Sequence, residues 1–178
     1  LGALTVPLGK SARYVYAVEK DAQLLEILKT ELLLQQLDNV ALLNQDMLKV
    51  DIPSLAKAAG RQLVVFGNLP YYISSQVLVQ LIKNRTSLTR CFLMFQKELS
   101  LRLTASAGSR DYGRLSVMLQ YCAAVTPLAT LKANLFYPRP KVDSEVIEES
   151  RDHVVDEVVG RLRAVIEGWV CRKHQRTG

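Results

Sequence analysis

Short apolar runs alternate with segments of helical periodicity along most of this chain. The predicted strands are 14–18, 40–44, 62–66, 91–95, 125–131 and 142–148. The predicted helices are 21–37, 53–59, 74–82, 97–104, 114–123 and 154–170. Strands separated by helices of this length are typical of βαβ units, which form parallel sheets. The pattern predicts a doubly wound α/β fold in which the last two strands form an antiparallel pair at one edge.

Composition places the chain among globular proteins. It has 178 residues, of which 49% are hydrophobic and 22% are charged, and no apolar run approaches the roughly 20 residues of a membrane helix. We expect one α/β domain over residues 1–150 and the incomplete start of a C-terminal helical region over 151–178. Cys91, Cys122 and Cys171 form no CxxC pair, so we expect reduced cytosolic thiols and no metal site. We also expect a monomer in the cytoplasm, with an organellar matrix or stroma as the alternative location.

Positive charge is concentrated in one segment. Residues 83–141 contain ten Lys and Arg residues but two acidic residues, Glu98 and Asp111. Such a segment is either a solvated basic surface or a face that binds a polyanion such as nucleic acid. Charge alone does not decide between these interpretations.

Polar residues follow the predicted strands, where ligands bind in open α/β sheets. Glu19 lies 17 residues after Gly2, close to the offset at which an acidic residue binds nucleotide ribose, although a carboxylate at a helix N-terminus is equally compatible. Asp46 is suited to accept a hydrogen bond from an adenine amino group, or it is a turn residue.

The most specific signal follows the third predicted strand, in Gly67-Asn68-Leu69-Pro70-Tyr71. Gly67 permits close backbone approach and Pro70 fixes φ, so the loop is expected to be rigid. The Asn68 side-chain oxygen and the Leu69 carbonyl would be paired acceptors beside the Tyr71 ring. This combination suits the exocyclic amine of a planar base. The alternative is a structural turn with two core tyrosines, Tyr71 and Tyr72.

Four motifs resemble those of the small-subunit ribosomal RNA adenine dimethyltransferases of the KsgA type. They are Asn68-Leu69-Pro70-Tyr71, Gln96-Lys97-Glu98, Tyr112-Gly113-Arg114-Leu115-Ser116-Val117 and Phe136-Tyr137-Pro138-Arg139-Pro140-Lys141-Val142-Asp143-Ser144. The similarity runs in order from Leu1 to about Val146. It implies a class I, Rossmann-like methyltransferase that uses S-adenosylmethionine to dimethylate N6 of two adjacent adenosines in small-subunit rRNA, within a pre-30S particle.

The resemblance also implies site residues. Glu19 would bind the cofactor ribose and Asp46 its adenine. The other expected cofactor-binding positions are Gly2, Lys20, Met47 and Asn68. The residues expected to hold the target adenine are Asn68, Leu69, Pro70 and Tyr71, with Phe136 stacked on its other face. The residues expected to contact the RNA backbone are Arg110, Arg114 and Arg139, although Arg114 could instead brace its own loop. The two acceptors would direct the amine lone pair toward the methyl group, so no strong base is needed. His153 and His174 are expected on the surface.

The sequence departs from the family pattern at its start. Of a loop that reads Gly-x-Gly-x-Gly-x-Leu-Thr, only Gly2-Ala3-Leu4-Thr5 is present, and the strand before it is missing. That strand is central in this fold, so its loss would leave unpaired strand edges and remove the cradle for the cofactor's methionine part. We expect a fragment that binds the cofactor poorly. Tyr72, where the family often has Asn, is not expected to disable the loop.

Three alternatives stay open at this point. Erm-type methyltransferases of large-subunit rRNA share the fold and the Asn-Leu-Pro-Tyr loop, but the run from Phe136 to Ser144 disfavours them. A non-catalytic RNA-binding or assembly factor would tolerate an incomplete cofactor loop. A DNA amino-methyltransferase is disfavoured because no target-recognition domain is evident.

Overall fold

The computed structural model describes residues 2–70, 72–136 and 140–150. Several predictions therefore lie outside the described residues: those for Tyr71, Arg139, His153, Cys171, His174 and the helix 154–170. The described residues fall into two compact units, 2–50 and 51–150, and each is described by itself.

The elements agree closely with the predicted order. The helices are α1 (Thr5–Ser11), α2 (Ala22–Leu34), α3 (Ile52–Ala59), α4 (Ser74–Lys83), α5 (Lys97–Leu103) and α6 (Arg114–Cys122). The strands are β1 (Val15–Glu19), β2 (Val40–Asn44), β3 (Leu63–Asn68), β4 (Leu88–Gln96), β5 (Ala124–Leu131) and β6 (Ser144–Ser150). Only α1 was not predicted. No helix in these described stretches is long and apolar enough to cross a membrane.

The first unit is a β1-α2-β2 arrangement with α1 before it. β1 and β2 pair in parallel, from Val15 opposite Val40 to Glu19 opposite Asn44. α2 begins after Asp21, whose carboxylate accepts from the backbone N–H groups of Gln23 and Leu24, and it buries Leu28 and Leu32. The parallel strands and crossover helix are those that the alternating pattern predicts.

The second unit contains a four-stranded mixed sheet in the order β3-β4-β6-β5. β3 and β4 are parallel, and β6 is antiparallel to both β4 and β5. The predicted antiparallel pair at one edge is therefore confirmed. Pro127 and a register shift lie in β5, the outermost strand, where a missing backbone N–H is tolerated.

β4 is the centre of the core in this unit. Leu93 and Phe95 are fully buried, and Phe92 stacks on Phe66 of β3 with ring centroids 5.0 Å apart. β4 begins three residues before the predicted start because Leu88 pairs with Leu63 of β3, and Arg90 pairs with Ser150 of β6. Residues with polar side chains thus belong to a strand that the apolar pattern alone did not reveal.

β1 and β3 each pair along one side only within the described chain, with β2 and β4 respectively. Unpaired backbone groups along a strand edge need another hydrogen-bonding partner.

Candidate functional site

The carboxyl ends of β1 and β2 are held together by Asn44. Its side-chain Nδ2 donates to the backbone carbonyls of Glu19 and Lys20, both at 3.1 Å, and Gln45 N donates to the Glu19 carbonyl at 3.1 Å. These bonds continue the strand pairing one residue beyond the ladder. The predicted cofactor residues Glu19, Lys20 and Asp46 therefore start from a fixed backbone.

Glu19 is not the N-cap of the helix that follows it. Asp21 fills that role, while Glu19 Oε1 accepts from the Asp21 backbone N–H at 2.9 Å. Glu19 Oε2 has no hydrogen-bond partner in the part of the chain that the structure describes. This half-buried carboxylate keeps an acceptor for a ligand hydroxyl, as a ribose-binding residue requires.

Asp46 is a turn residue, which is one of the two roles that the sequence left open, and its contact with an adenine stays a prediction. It caps the single 3-10 turn Met47–Lys49 with Oδ1, which accepts from Leu48 N at 3.0 Å. Its Oδ2 lies 2.9 Å from the Lys20 ammonium. The hydrogen bond from Lys20 is the main cause that lowers the pKa of Asp46. Asp46 is thus an ionised acceptor at the end of β2, and Met47 begins the turn that it caps.

Gly2 is required by both its conformation and its surroundings. Its φ is +74°, in the left-handed region that favours glycine. A Cβ there would lie 3.1 Å from the Val6 side chain and 3.2 Å from the Leu28 side chain. Gly2 therefore packs against α2, and its role toward a cofactor stays a prediction.

The Asn68 loop begins inside the sheet of the second unit. The predicted strand end at Gly67 is wrong, because Gly67 and Asn68 still pair with Leu93 and Met94 of β4. A Cβ on Gly67 would lie 3.0 Å from the Leu93 side chain and 3.1 Å from the Leu69 side chain. Glycine is needed here for close packing, as the sequence predicted, while its φ is ordinary.

The loop is fastened to the helix that follows it. The Pro70 carbonyl accepts from Ile73 N and from Ser74 Oγ, both at 3.1 Å, and Ser74 is buried. No described residue donates a hydrogen bond to the Asn68 side chain or to the Leu69 carbonyl. Among the residues that the structure describes, the turn is thus braced without using either of the two predicted acceptors.

The alternative of two core tyrosines does not hold. Tyr72 is 82% exposed, so it contributes nothing to a core. Tyr71 lies outside the described residues, and its predicted stacking on a base stays a prediction.

Three strands of this sheet end at the same edge. β3, β4 and β5 run in one direction because β6 alone is antiparallel, and Ser144 at the start of β6 pairs with both Gln96 and Leu131. Phe136 follows β5 after the 3-10 turn Ala133–Leu135 and is half-buried. Asn68 therefore ends one outer strand and Phe136 follows the other, and the C-terminal end of β4 and the start of β6 lie between these two strands.

Asp143 was quoted in a motif but given no role by the sequence. Its Oδ1 accepts from Ala133 N at 2.9 Å and its Oδ2 lies 3.2 Å from the Lys132 ammonium. Its carbonyl accepts from Lys97 N at 3.0 Å. The Ala133 N–H, followed by Lys132, holds the pKa of Asp143 below its usual range. The contact spans ten residues, so helical or strand periodicity could not reveal it.

Several positive charges of the basic segment 83–141 are paired with acidic side chains in the folded chain. Arg90 lies 3.7 Å from Glu148, Arg102 lies 2.7 Å from Glu98, and Lys132 is paired with Asp143. Two of these acidic partners lie in the sequence beyond the segment.

Arg110 and Arg114 differ from these paired cations. Both are exposed and neither makes an ion pair or side-chain hydrogen bond within the described stretches. Ser116, not Arg114, braces this loop. Its buried hydroxyl accepts from Gly113 N at 3.0 Å and donates to the Arg102 carbonyl. The Tyr-Gly-Arg-Leu-Ser motif is thus partly structural, and Arg110 and Arg114 remain available to an anionic ligand.

Comparison with known proteins agrees with this geometry. Ribosomal RNA small subunit methyltransferase A of Desulforapulum autotrophicum is 53% identical over 148 residues, which are 83% of this chain and 51% of that protein. The crystal structure of a dimethyladenosine transferase from Plasmodium falciparum matches with a TM-score of 0.75 and 30% identity, over 84% of this chain and 52% of that one. The chain spans about half the length of the curated relatives it matches.

A more distant match shows the fold alone. The crystal structure of the 23S rRNA methyltransferase ErmE has a TM-score of 0.68 at 23% identity, over 90% of this chain and 62% of that one. The α/β architecture is therefore the Rossmann-like methyltransferase fold. The family model for ribosomal RNA adenine dimethylase matches residues 1–177, and the chain belongs to that family.

Proposed function

We propose that the protein transfers methyl groups from S-adenosylmethionine to the N6 amines of adenosines in small-subunit ribosomal RNA. The observation that carries this proposal is the pair of acceptors at the end of β3. Asn68 and the Leu69 carbonyl make no hydrogen bond to described residues, while Pro70 fastens the turn to α4. An exocyclic amine has two hydrogens and matches two such acceptors.

The residues of the first unit fit the nucleoside part of the cofactor. Asp46 is an ionised acceptor whose position is fixed by Leu48 N and Lys20, and Glu19 has one unused carboxylate oxygen. Acceptors of this kind suit an adenine amine and ribose hydroxyls. When bound, S-adenosylmethionine supplies a methyl group on a positively charged sulfur, which is the electrophile of the reaction.

The Asn68 loop would act on the nucleophile. The lone pair of an adenine amine is delocalised into the ring and reacts poorly. Asn68 Oδ1 and the Leu69 carbonyl, by accepting the two N–H groups, would hold the amine in the orientation that exposes its lone pair. The positive charge that develops on the nitrogen strengthens both hydrogen bonds, and the proton then leaves to water. Positioning and these two acceptors supply the catalysis, with no general base.

The substrate class is supported by exposed positive charge. Arg110 and Arg114, in the loop before α6 and at its N-terminus, are exposed and make no ion pair with any residue that the structure describes. Phosphate contacts there would add affinity without sequence reading. The relative from Desulforapulum autotrophicum is named as a methyltransferase of the ribosomal RNA small subunit, and we extend that substrate to this protein.

A methyl-transfer assay tests the proposal. The full-length protein, labelled S-adenosylmethionine and unmodified small-subunit particles should give N6,N6-dimethyladenosine in the small-subunit RNA, detected by mass spectrometry of nucleosides. Large-subunit particles serve as the matched control. Methylation of the large subunit alone would instead support the Erm-type alternative. RNA binding without cofactor binding would support a non-catalytic assembly role.

A further inference from the structure

The turn that leads to Phe136 is capped from a distant part of the chain. The 3-10 turn Ala133–Leu135 has Lys132 at its N-cap position, and the Lys132 side chain makes no capping bond. The first N–H groups of any helical turn need an external acceptor. Asp143 provides it, because its Oδ1 accepts from Ala133 N at 2.9 Å.

Asp143 is itself held on the sheet. The next residue, Ser144, is fully buried and pairs with β4 and β5 at once. The Asp143 carbonyl accepts from Lys97 N, the first residue of α5. Because the backbone of Asp143 and its neighbour Ser144 are held on the sheet, the Asp143 carboxylate can hold the turn Ala133–Leu135 in place.

One more backbone hydrogen bond joins the capped turn to Phe136. Phe136 N donates to the Ala133 carbonyl at 3.3 Å, so a displacement of Ala133 would be passed directly to Phe136. By contrast, the Lys132 ammonium that pairs with Asp143 Oδ2 is largely exposed, and exposed ion pairs contribute little. The bond from Ala133 N is therefore the main connection.

We propose that Asp143 is a positioning residue that sets the orientation of Phe136 for stacking on the target base. This inference rests on the proposed function and on the expectation, implied by the family resemblance, that Phe136 covers one face of the adenine. Asp143 would touch neither base nor cofactor, and it would act only through the Ala133–Phe136 turn.

Steady-state kinetics of the full-length protein on small-subunit particles tests this role. Phe136→Ala should lower kcat/KM for the RNA about 5- to 100-fold, the range expected for one base-stacking contact. Asp143→Ala should cause a loss no larger than this, mainly in KM. Asp143→Asn, which keeps an oxygen acceptor for Ala133 N, should stay within about 3-fold of the wild type, as should Lys132→Met. The Kd for S-adenosylmethionine should be unchanged in every variant.

The double variant separates positioning from general structural damage. If Asp143 acts through Phe136, the pair Phe136→Ala and Asp143→Ala should be no worse than Phe136→Ala alone. Losses that multiply, or Asp143→Ala with wild-type kinetics, would overturn the inference. Should Asp143→Ala fail to fold, Asp143→Ser provides the same test, because its side chain is too short to reach Ala133 N. A wild-type protein that methylates no ribosomal RNA would refute the proposed function itself.

Discussion

The Lys20 ammonium lies 2.9 Å from Asp46 Oδ2, just beyond the ends of two neighbouring parallel strands. The pair keeps Asp46 ionised, yet Lys20 is largely exposed and can move away. A ligand amine can therefore replace Lys20 at the carboxylate without leaving a buried charge behind.

Substitutions of Asp46 and of Lys20 should differ in their effect on the affinity for S-adenosylmethionine. Asp46→Ala should weaken binding of S-adenosylmethionine by the full-length protein at least about 10-fold, because a charge-assisted hydrogen bond is lost. Lys20→Met should change the affinity by less than about 3-fold. Asp51→Ala is the matched control, since Asp51 caps α3 in the same way through Ser54 but follows no strand. Isothermal calorimetry measures all three, and an equal loss in Asp51→Ala would mean that cap removal, and not ligand contact, explains the effect.

The fold was largely predictable because apolar residues recur at different spacings in its strands and in its helices. α1 was missed because it has seven residues, lacks a capping side chain and contains Pro7, which a first helical turn tolerates but the sequence pattern does not reveal. The extra residues at the start of β4 belong to a strand because Leu88 pairs with Leu63 of β3 and Arg90 pairs with Ser150 of β6. These pairings join residues that are distant in the sequence.

The sequence predicted the local geometry of the candidate site where that geometry depends on consecutive residues. It did not predict contacts between distant residues. The Asn68 turn is built from consecutive residues, so its rigidity could be argued from Gly67 and Pro70. The capping role of Asp143 could not be predicted in this way. Asp143 contacts Ala133 only because β5 pairs with β6 in the folded chain. The charge of the basic segment was overestimated for the same reason, since Glu148 and Asp143 return to it only in the folded chain.

Ser116 should be important for stability and not for RNA contact. Its hydroxyl is fully buried and joins Gly113 N to the Arg102 carbonyl. Ser116→Ala removes the acceptor of the partly buried Gly113 N–H and one donor to the Arg102 carbonyl, and it should lower the free energy of unfolding by about 1–3 kcal/mol. Ser109→Ala, at an exposed position in the preceding loop, should change it by less than about 0.5 kcal/mol. Urea titration followed by circular dichroism gives both values, and equal stability of the two variants would contradict the bridging role.

Glu149 should make the protein less stable as the pH rises. Burial raises its pKa from 4.5 to about 8, so between these values the folded state holds a proton that the unfolded state has released. Stability that depends on this proton is present below about pH 4.5 and is lost as the pH rises through 8. At about 1.4 kcal/mol per pKa unit, the effect amounts to a few kcal/mol.

Glu149→Gln removes that dependence. The variant should resemble the wild type at pH 5 and be more stable than it at pH 8.5, as measured by urea unfolding at both values. Glu98→Gln is the control, because the Glu98 side chain is exposed on α5. A stability difference between Glu149→Gln and the wild type that does not change with pH would rule out titration of Glu149.

The predicted RNA-contacting arginines should contribute salt-dependent affinity for RNA. Replacing Arg110, Arg114 and Arg139 together by alanine should flatten the log-log dependence of affinity on salt by roughly two units, at about 0.7–0.9 per phosphate contact, and weaken all RNAs alike. Arg102→Ala should change the slope little, because Arg102 is already paired with Glu98. Filter binding of small-subunit RNA over a salt series measures the slopes. The same slope for the triple variant and the wild type would mean that this segment is a solvated basic surface and does not bind RNA phosphates.

Single-turnover methyl transfer by Asn68→Ala in the full-length protein tests the proposed chemistry most directly. The variant loses the side-chain acceptor for the adenine amine, while the rest of the turn stays fastened by Pro70 and Ser74. We expect a rate about 100- to 1000-fold lower, a Kd for S-adenosylmethionine within about 2-fold of the wild type, and a normal rate for the control Asn84→Ala, whose side chain bonds only to the end of α4. An Asn68→Ala variant that methylates small-subunit RNA at the wild-type rate would show that the loop is merely structural.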